Sequence, residues 1–166
     1  MYQTDNDTTR PDQLPTALRA ALWPLAAAGI GSAATQAGVK SWYPKLDKPE
    51  FNPPSWVFGP MWTTLYVLMG IADFIISQRG DSDEAENART IYRVQMVLNA
   101  AWSVLFFGLR SPLAALVEIV FLWVAILLTI LAFARISKLA ALLLVPYLLW
   151  TSFAAVLNAS IWYKNR

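Results

Sequence analysis

Three runs of this chain place aromatic rings and polar side chains, amides in two of them, at helical spacing. These residue types stack on a flat, apolar molecule and hydrogen-bond to it. Trp62, Tyr66, Met69 and Asp73 fall at i, i+4, i+7 and i+11, and Gln95, Asn99, Trp102 and Phe106 repeat that spacing. Tyr147, Trp150, Ala154, Leu157 and Asn158 share a third face, because residues three and four apart stack on one side of a helix. An amide in hydrocarbon must pair or face a cavity. The plainer alternative is glue between helices, with Asn and Gln bonding across a bundle for about 0.6–2 kcal/mol each. On the residues alone both readings stay open.

Other chemistries are narrowed by what is missing. The chain has no Cys, which removes disulfides and thiolate metal sites. It has no His, hence neither the commonest metal ligand nor the usual haem axial ligand. No metal site and no required cofactor are expected. No nucleophile–base pair or phosphate loop stands out, which disfavours catalysis in the dark. The net charge of +2 comes with no basic stripe, so nucleic acid is not an expected partner. Two carboxylates, Asp73 and Glu118, fall in apolar runs, where such a group is a functional candidate by default. For Asp73, near a helix end, pairing with an Arg or contact with water is the simpler expectation. Glu118 is open.

These residues need elements to hold them, and composition says which. The 166 residues are 57% hydrophobic and 14% charged, with mean hydropathy +0.42. A soluble domain is roughly 45–50% apolar and about 25% charged. Five stretches, about 18–39, 55–78, 90–109, 113–135 and 139–163, approach the roughly 20 residues that cross a bilayer core. They lack period-2 alternation, and open sheets cannot span lipid. The expected fold is an all-α integral membrane protein, a five-transmembrane-helix bundle. Short connections make segments three and four, and four and five, antiparallel neighbours. Pro112 suits the first turn of the fourth helix, and Pro146 leaves the Leu142 carbonyl without its usual bond.

Residues 1–17 are polar and are read as a disordered tail, followed by one membrane domain over 18–166. The tail fits neither a secretory signal nor a mitochondrial presequence. Basic residues divide 7 against 6 between the two sides, so the positive-inside rule leaves orientation undetermined. The 40–54 segment holds Pro44, Pro49, Pro53 and Pro54 with Trp42, Tyr43 and Phe51. Proline stiffens a chain and aromatics need cover, so this reads as an ordered lid. The 79–89 segment reads as a hydrophilic turn. Of the eight tryptophans, Trp23, Trp42, Trp56 and Trp162 lie near segment ends, as in an aromatic belt. Trp62, Trp102, Trp123 and Trp150 lie deeper, where a buried indole seeks a partner for its N–H. Two small-residue stripes on segment one, Gly29-Ala33-Ala37 and Ala27-Gly31-Thr35, permit close helix contact, internal or between protomers.

Taken together, WYPKLDKPEFNPPSWVFGPMWTTLY (42–66), Gln95-x3-Asn99-x2-Trp102-x3-Phe106-Phe107-Gly108 and VPYLLW-x7-Asn158 resemble the translocator protein / tryptophan-rich sensory protein (TspO/MBR) family. The resemblance covers nearly everything from segment one onward. It implies a five-helix bundle with a pocket capped by the first long loop. It also implies porphyrin binding, with cholesterol and benzodiazepine-type drugs as ligands of animal members, and a homodimer. Pocket positions carried over are Trp62, Tyr66, Asn99, Trp102, Trp150, Ala154, Leu157 and Asn158, with Tyr147 on the same stripe. Trp42 and Pro49 fall in the matched lid beside Tyr43 and Phe51. Many members have Trp after the lid Lys-Pro, where this chain has Phe51, and some have Trp where Ala114 stands, so a wider pocket is expected here. The function this implies is a membrane tetrapyrrole-binding protein that senses, sequesters or moves its ligand, with porphyrin carboxylates reaching Lys45 or Lys48. Light-dependent porphyrin breakdown, with Trp62 and Trp150 as reactive partners, is the enzymatic alternative. A ligand-free lipid-organising subunit and a sterol transporter are others. The pattern Leu157-x5-Tyr163-x2-Arg166 is a loose sterol motif.

Overall fold

The computed structural model describes residues 16–79 and 82–166. Residues 1–15, most of the expected tail, lie outside the described residues. Five α-helices follow in chain order: α1 Thr16–Val39, α2 Ser55–Ser77, α3 Asp83–Ser103, α4 Pro112–Ile136 and α5 Lys138–Lys164. Among the described residues there is no strand. Helix α4 packs on both α3 and α5, α5 on α2, and α1 closes the ring between α2 and α3. The neighbours that short connections dictate are therefore neighbours in space. Helices α2, α4 and α5 are each long and apolar enough to cross a membrane.

Helix starts follow local capping. Pro112 opens α4, and the Ser111 hydroxyl accepts from the Ala114 N–H at 3.4 Å. The Ser137 hydroxyl does the same for Ala140 at the start of α5. Helix α3 begins at Asp83, earlier than its apolar stretch. Ser82 caps it through the Ala85 N–H at 3.2 Å, and Asp83, Glu84 and Glu86 sit in its first turn, where carboxylates favour the positive end of the helix dipole. Much of the segment expected as a turn is thus helix. Helix α5 continues through Pro146 to Lys164 without a break.

Two features set the upper part of the bundle. Helix α3 ends in a π turn, Val104–Gly108, and the chain then enters α4 through Arg110 at φ 53. Helix α1 lies against this turn at Gly38, where an added Cβ would stand 2.6 Å from the Phe107 carbonyl oxygen. No side chain fits there. One small-residue stripe is internal, with Ala27 buried and a Cβ on Gly31 only 3.2 Å from Ser103 Oγ. Gly29, on the other stripe, faces open space.

At the opposite end, Arg89 Nε donates to Asp73 Oδ1 at 2.9 Å, and Arg93 bonds Glu86 at 2.7 Å. The Tyr92 hydroxyl donates to the Met69 carbonyl at 3.2 Å. Asp73 is therefore the arginine-paired carboxylate that its position near the helix end suggests. Glu118 is buried, with no hydrogen-bond partner for either carboxyl oxygen.

Candidate functional site

Beneath the 40–54 loop, α1, α2, α3, the π turn and α5 enclose a cavity of about 260 Å³. Its aromatic wall is Phe58 and Trp62 from α2, Trp102 from α3, Phe106 and Phe107 from the π turn, and Trp150 and Phe153 from α5. Ala154, Leu157 and Asn158 complete the α5 side, and Tyr43 closes the top. The rings pack in order. Trp102 stacks on Phe106 at 5.1 Å with planes 16° apart, and Phe58 meets Trp150 edge-on at 5.9 Å.

Seven of the stripe residues therefore come together on one cavity: Trp62, Trp102, Phe106, Trp150, Ala154, Leu157 and Asn158. Three others form its support. The Tyr66 hydroxyl donates to Asn99 Oδ1 at 2.8 Å, and Asn99 Nδ2 donates to the Tyr147 hydroxyl at 2.9 Å. This chain ties α2, α3 and α5 together below the cavity, so Tyr66, Asn99 and Tyr147 act between helices rather than on its wall. Tyr66 also borders a more open apolar groove of about 490 Å³ between α1 and α2. Asn158 does both jobs, since its Nδ2 donates to the Pro112 carbonyl at 2.8 Å while the side chain lines the cavity. Pocket and glue, alternatives at the level of sequence, are both present. Gln95 belongs to neither, being buried with no partner for its amide.

The loop is an ordered cap. Trp42 meets Phe106 edge-on at 5.5 Å, Tyr43 packs on Phe107 at 5.7 Å, and Phe51 meets Phe153 at 6.3 Å. Pro49 is buried. The Lys48 ammonium donates to the carbonyls of Tyr43, Pro44 and Leu46 at 3.0, 3.3 and 2.9 Å, which staples the loop to itself. Lys45 remains exposed. Asn165, just past α5, bonds the loop at Asp47. The Tyr43 hydroxyl donates to Asn52 Oδ1 at 2.7 Å, and burial pushes its pKa above the usual 10.0.

Some wall residues escape the stripe analysis. Phe58 is one turn before Trp62, so extending that stripe by four residues finds it. Phe107 is invisible to an α-helical count, because the π turn is what brings it and Phe106 to the same cavity. The loose sterol pattern does not form one face: Leu157 lines the cavity, while Tyr163 is exposed and stacks under Arg166 at 4.1 Å. The deep indole of Trp123 donates to Ser152 at 2.8 Å, joining α4 to α5.

Comparison with known proteins agrees with this architecture. The chain matches the TspO/MBR family over residues 20–163. It is 47% identical to the tryptophan-rich protein TspO of Chlorobaculum tepidum over 142 residues, 85% of this chain and 90% of that one. A TspO of Archaeoglobus fulgidus is 45% identical, covering 85% and 91%. The human translocator protein is 40% identical over 126 residues, 75% of each chain. With the five-helix bundle, its membrane-length helices and this span of similarity, the chain is an integral membrane protein that belongs to the TspO/MBR family.

Proposed function

We propose that the cavity beneath the lid binds a flat tetrapyrrole of the porphyrin class, and that the protein senses, sequesters or moves it. The observation that carries this reading is the convergence of Trp62, Trp102, Trp150, Phe58, Phe106 and Phe107 on one enclosed space inside a membrane bundle. Indole and phenyl faces stack on a planar π-system, and burying the ligand's flat faces supplies most of the affinity. Pockets for drug-sized ligands span about 300–1,000 Å³. The cavity, at about 260 Å³, is below that range, so a macrocycle requires it to widen. Lys45, exposed in the 40–54 loop, is the cation offered to the macrocycle's peripheral carboxylates.

The test is a protoporphyrin titration of the purified protein in detergent, followed by quenching of Trp fluorescence. Saturable quenching agrees with the proposal. A flat titration of folded protein favours a lipid-organising role without a ligand. Because Trp62 and Trp150 both border the cavity, a second reading, light-dependent porphyrin breakdown, is checked in the same cell. Illuminated and dark samples are compared for loss of the porphyrin Soret band. Loss only in the light, abolished by Trp62→Phe with Trp150→Phe, would make the protein a photochemical catalyst.

A further inference from the structure

Chain topology gathers unopposed cations at the end of the bundle that carries the lid. Asn165 bonds Asp47 through both ends of its amide. That clamp brings Lys45, two residues before Asp47, to the same corner as Lys164 and Arg166, which flank Asn165. The contact of Gly38 with Phe107 carries Lys40 and Arg110 to the same end. All five side chains are exposed, and the exposed carboxylates there are Asp47 and Glu50 among the described residues. The described ion pairs lie at the other end, where Arg89 meets Asp73 and Glu86, and Arg93 meets Glu86. Lys48 stands apart from the set, its ammonium taken by three loop carbonyls. Arg166 lies over the rings of Tyr163 and Trp162 at 4.1 and 5.8 Å. A stacked guanidinium keeps its charge and its N–H edge for a phosphate.

A second observation fixes the depth of these cations. Trp56, Tyr163 and Phe51, at the same end, are 74%, 62% and 49% exposed. Exposed rings at the end of a membrane bundle settle at the level of the lipid headgroups. The cations therefore stand at phosphate depth, where attraction to a charged lipid surface is least screened. Clusters of about 4–8 Lys and Arg beside membrane helices hold anionic lipids. We propose that the lid end docks anionic phospholipid headgroups, with Lys45, Lys164 and Arg166 around the Asn165–Asp47 clamp as the principal contacts. A headgroup held by the loop lysine and the α5 cations together reinforces the clamp, so anionic lipid holds the lid to the bundle. The cavity and its ligand play no part in this.

The test places the full-length protein in phosphatidylcholine vesicles and adds chain-labelled phosphatidylglycerol or phosphatidylcholine as spin probes. The fraction of each probe immobilised by the protein is read by electron paramagnetic resonance. Phosphatidylglycerol should be immobilised several-fold in excess, and the excess should shrink as salt rises. Inorganic phosphate should reduce it no more than chloride of equal ionic strength. The triple variant Lys45→Gln, Lys164→Gln, Arg166→Gln should lose most of the preference. Its control, Arg79→Gln, Arg135→Gln, Lys138→Gln, removes three exposed cations at the other end and should keep it. Amide exchange in residues 43–52 supplies the second measurement. It should slow when phosphatidylglycerol is added to nanodiscs of the parent and of the control, but not to those of the lid-end variant. Equal immobilisation of the two probes overturns the proposal. So does a preference that both triple variants lose equally, which is attraction to net charge alone. Lid exchange indifferent to phosphatidylglycerol in the parent overturns it as well, since the lipid then docks away from the clamp.

Discussion

Asn165 holds Asp47 by both ends of its amide: Oδ1 accepts from the Asp47 N–H at 3.0 Å, and Nδ2 donates to the Asp47 carbonyl at 2.9 Å. The C-terminal end of α5 is thereby fastened to the lid more than a hundred residues earlier in the chain. Each bond contributes a net of about 0.5–1.5 kcal/mol. Asn165→Ala should therefore raise amide exchange in residues 43–52 by about tenfold, leaving the exchange of α4 unchanged, and should speed ligand release. Lid exchange that is unaltered in Asn165→Ala would mean that aromatic packing alone holds the cap.

Ala154 lines the cavity between Trp150 and Leu157. Ala154→Phe adds a ring to a space of about 260 Å³. Porphyrin affinity should fall at least tenfold, about 1.4 kcal/mol, while helical circular dichroism and thermal unfolding stay near those of the parent. Undiminished affinity in folded Ala154→Phe protein would take this face of α5 out of the site.

Tyr147 is 1% exposed and receives the Asn99 Nδ2 bond. Tyr147→Phe leaves that donor without a partner, which costs about 1–3 kcal/mol. The expected result is a lower unfolding temperature in detergent. Asn99→Leu should cost more, because it strands the hydroxyls of both Tyr66 and Tyr147.

With no His and no Cys, the chain lacks the side chains that most often hold haem iron. Stacking and carboxylate contacts then dominate for metal-free and iron porphyrins alike. Their affinities should agree within about tenfold, roughly 1.4 kcal/mol. Haem bound a hundredfold tighter, with a low-spin spectrum, would identify an iron ligand, with Tyr43, the tyrosine that lines the cavity, the first residue to substitute.

Tyr43 gives the lid an alkaline limit. Burial raises its pKa above the unfolded value of 10.0, so the folded state holds its proton more tightly than the unfolded one. The stability this supplies is complete below pH 10 and is lost as pH rises through the folded-state pKa. Protease cleavage within 43–52 should therefore increase as pH climbs above about 10, and Tyr43→Phe should remove that dependence. A cleavage profile identical in the two proteins would place the alkaline transition elsewhere.

What could be read from the chain, and what could not, follows from the physics of each signal. Apolar length located all five helices, because hydrocarbon thickness is a property of the solvent. It missed the start of α3, because the stretch from Asp83 to Arg89 is helical through its Ser82 cap and acidic first turn rather than through burial. Helical spacing found Trp62, Trp102, Phe106, Trp150, Ala154, Leu157 and Asn158, which share a cavity. It could not separate these from Tyr66, Asn99 and Tyr147, because a side chain that faces inward meets either a space or another helix at the same angle. Only the bonds from Asn99 to both tyrosines decide that. The lid was legible from its prolines and aromatics, but its fastening through Asn165 pairs residues with no local pattern between them.

The π turn at Val104–Gly108 makes chain length, rather than composition, a determinant of the site. Each α-helical residue advances about 100° around the axis, so one residue more or fewer is a phase error that no repacking of similar side chains corrects. Deleting Leu105 would leave Phe106, Phe107 and nearly all the apolar content of the corner, yet would turn one of the two rings away from Trp102 and move the carbonyl against which Gly38 rests. In a loop, an insertion or deletion of this size is absorbed by the backbone. Here it would be read out at the α1 contact and the cavity wall together, making this corner a place where chain length is held by packing on both sides.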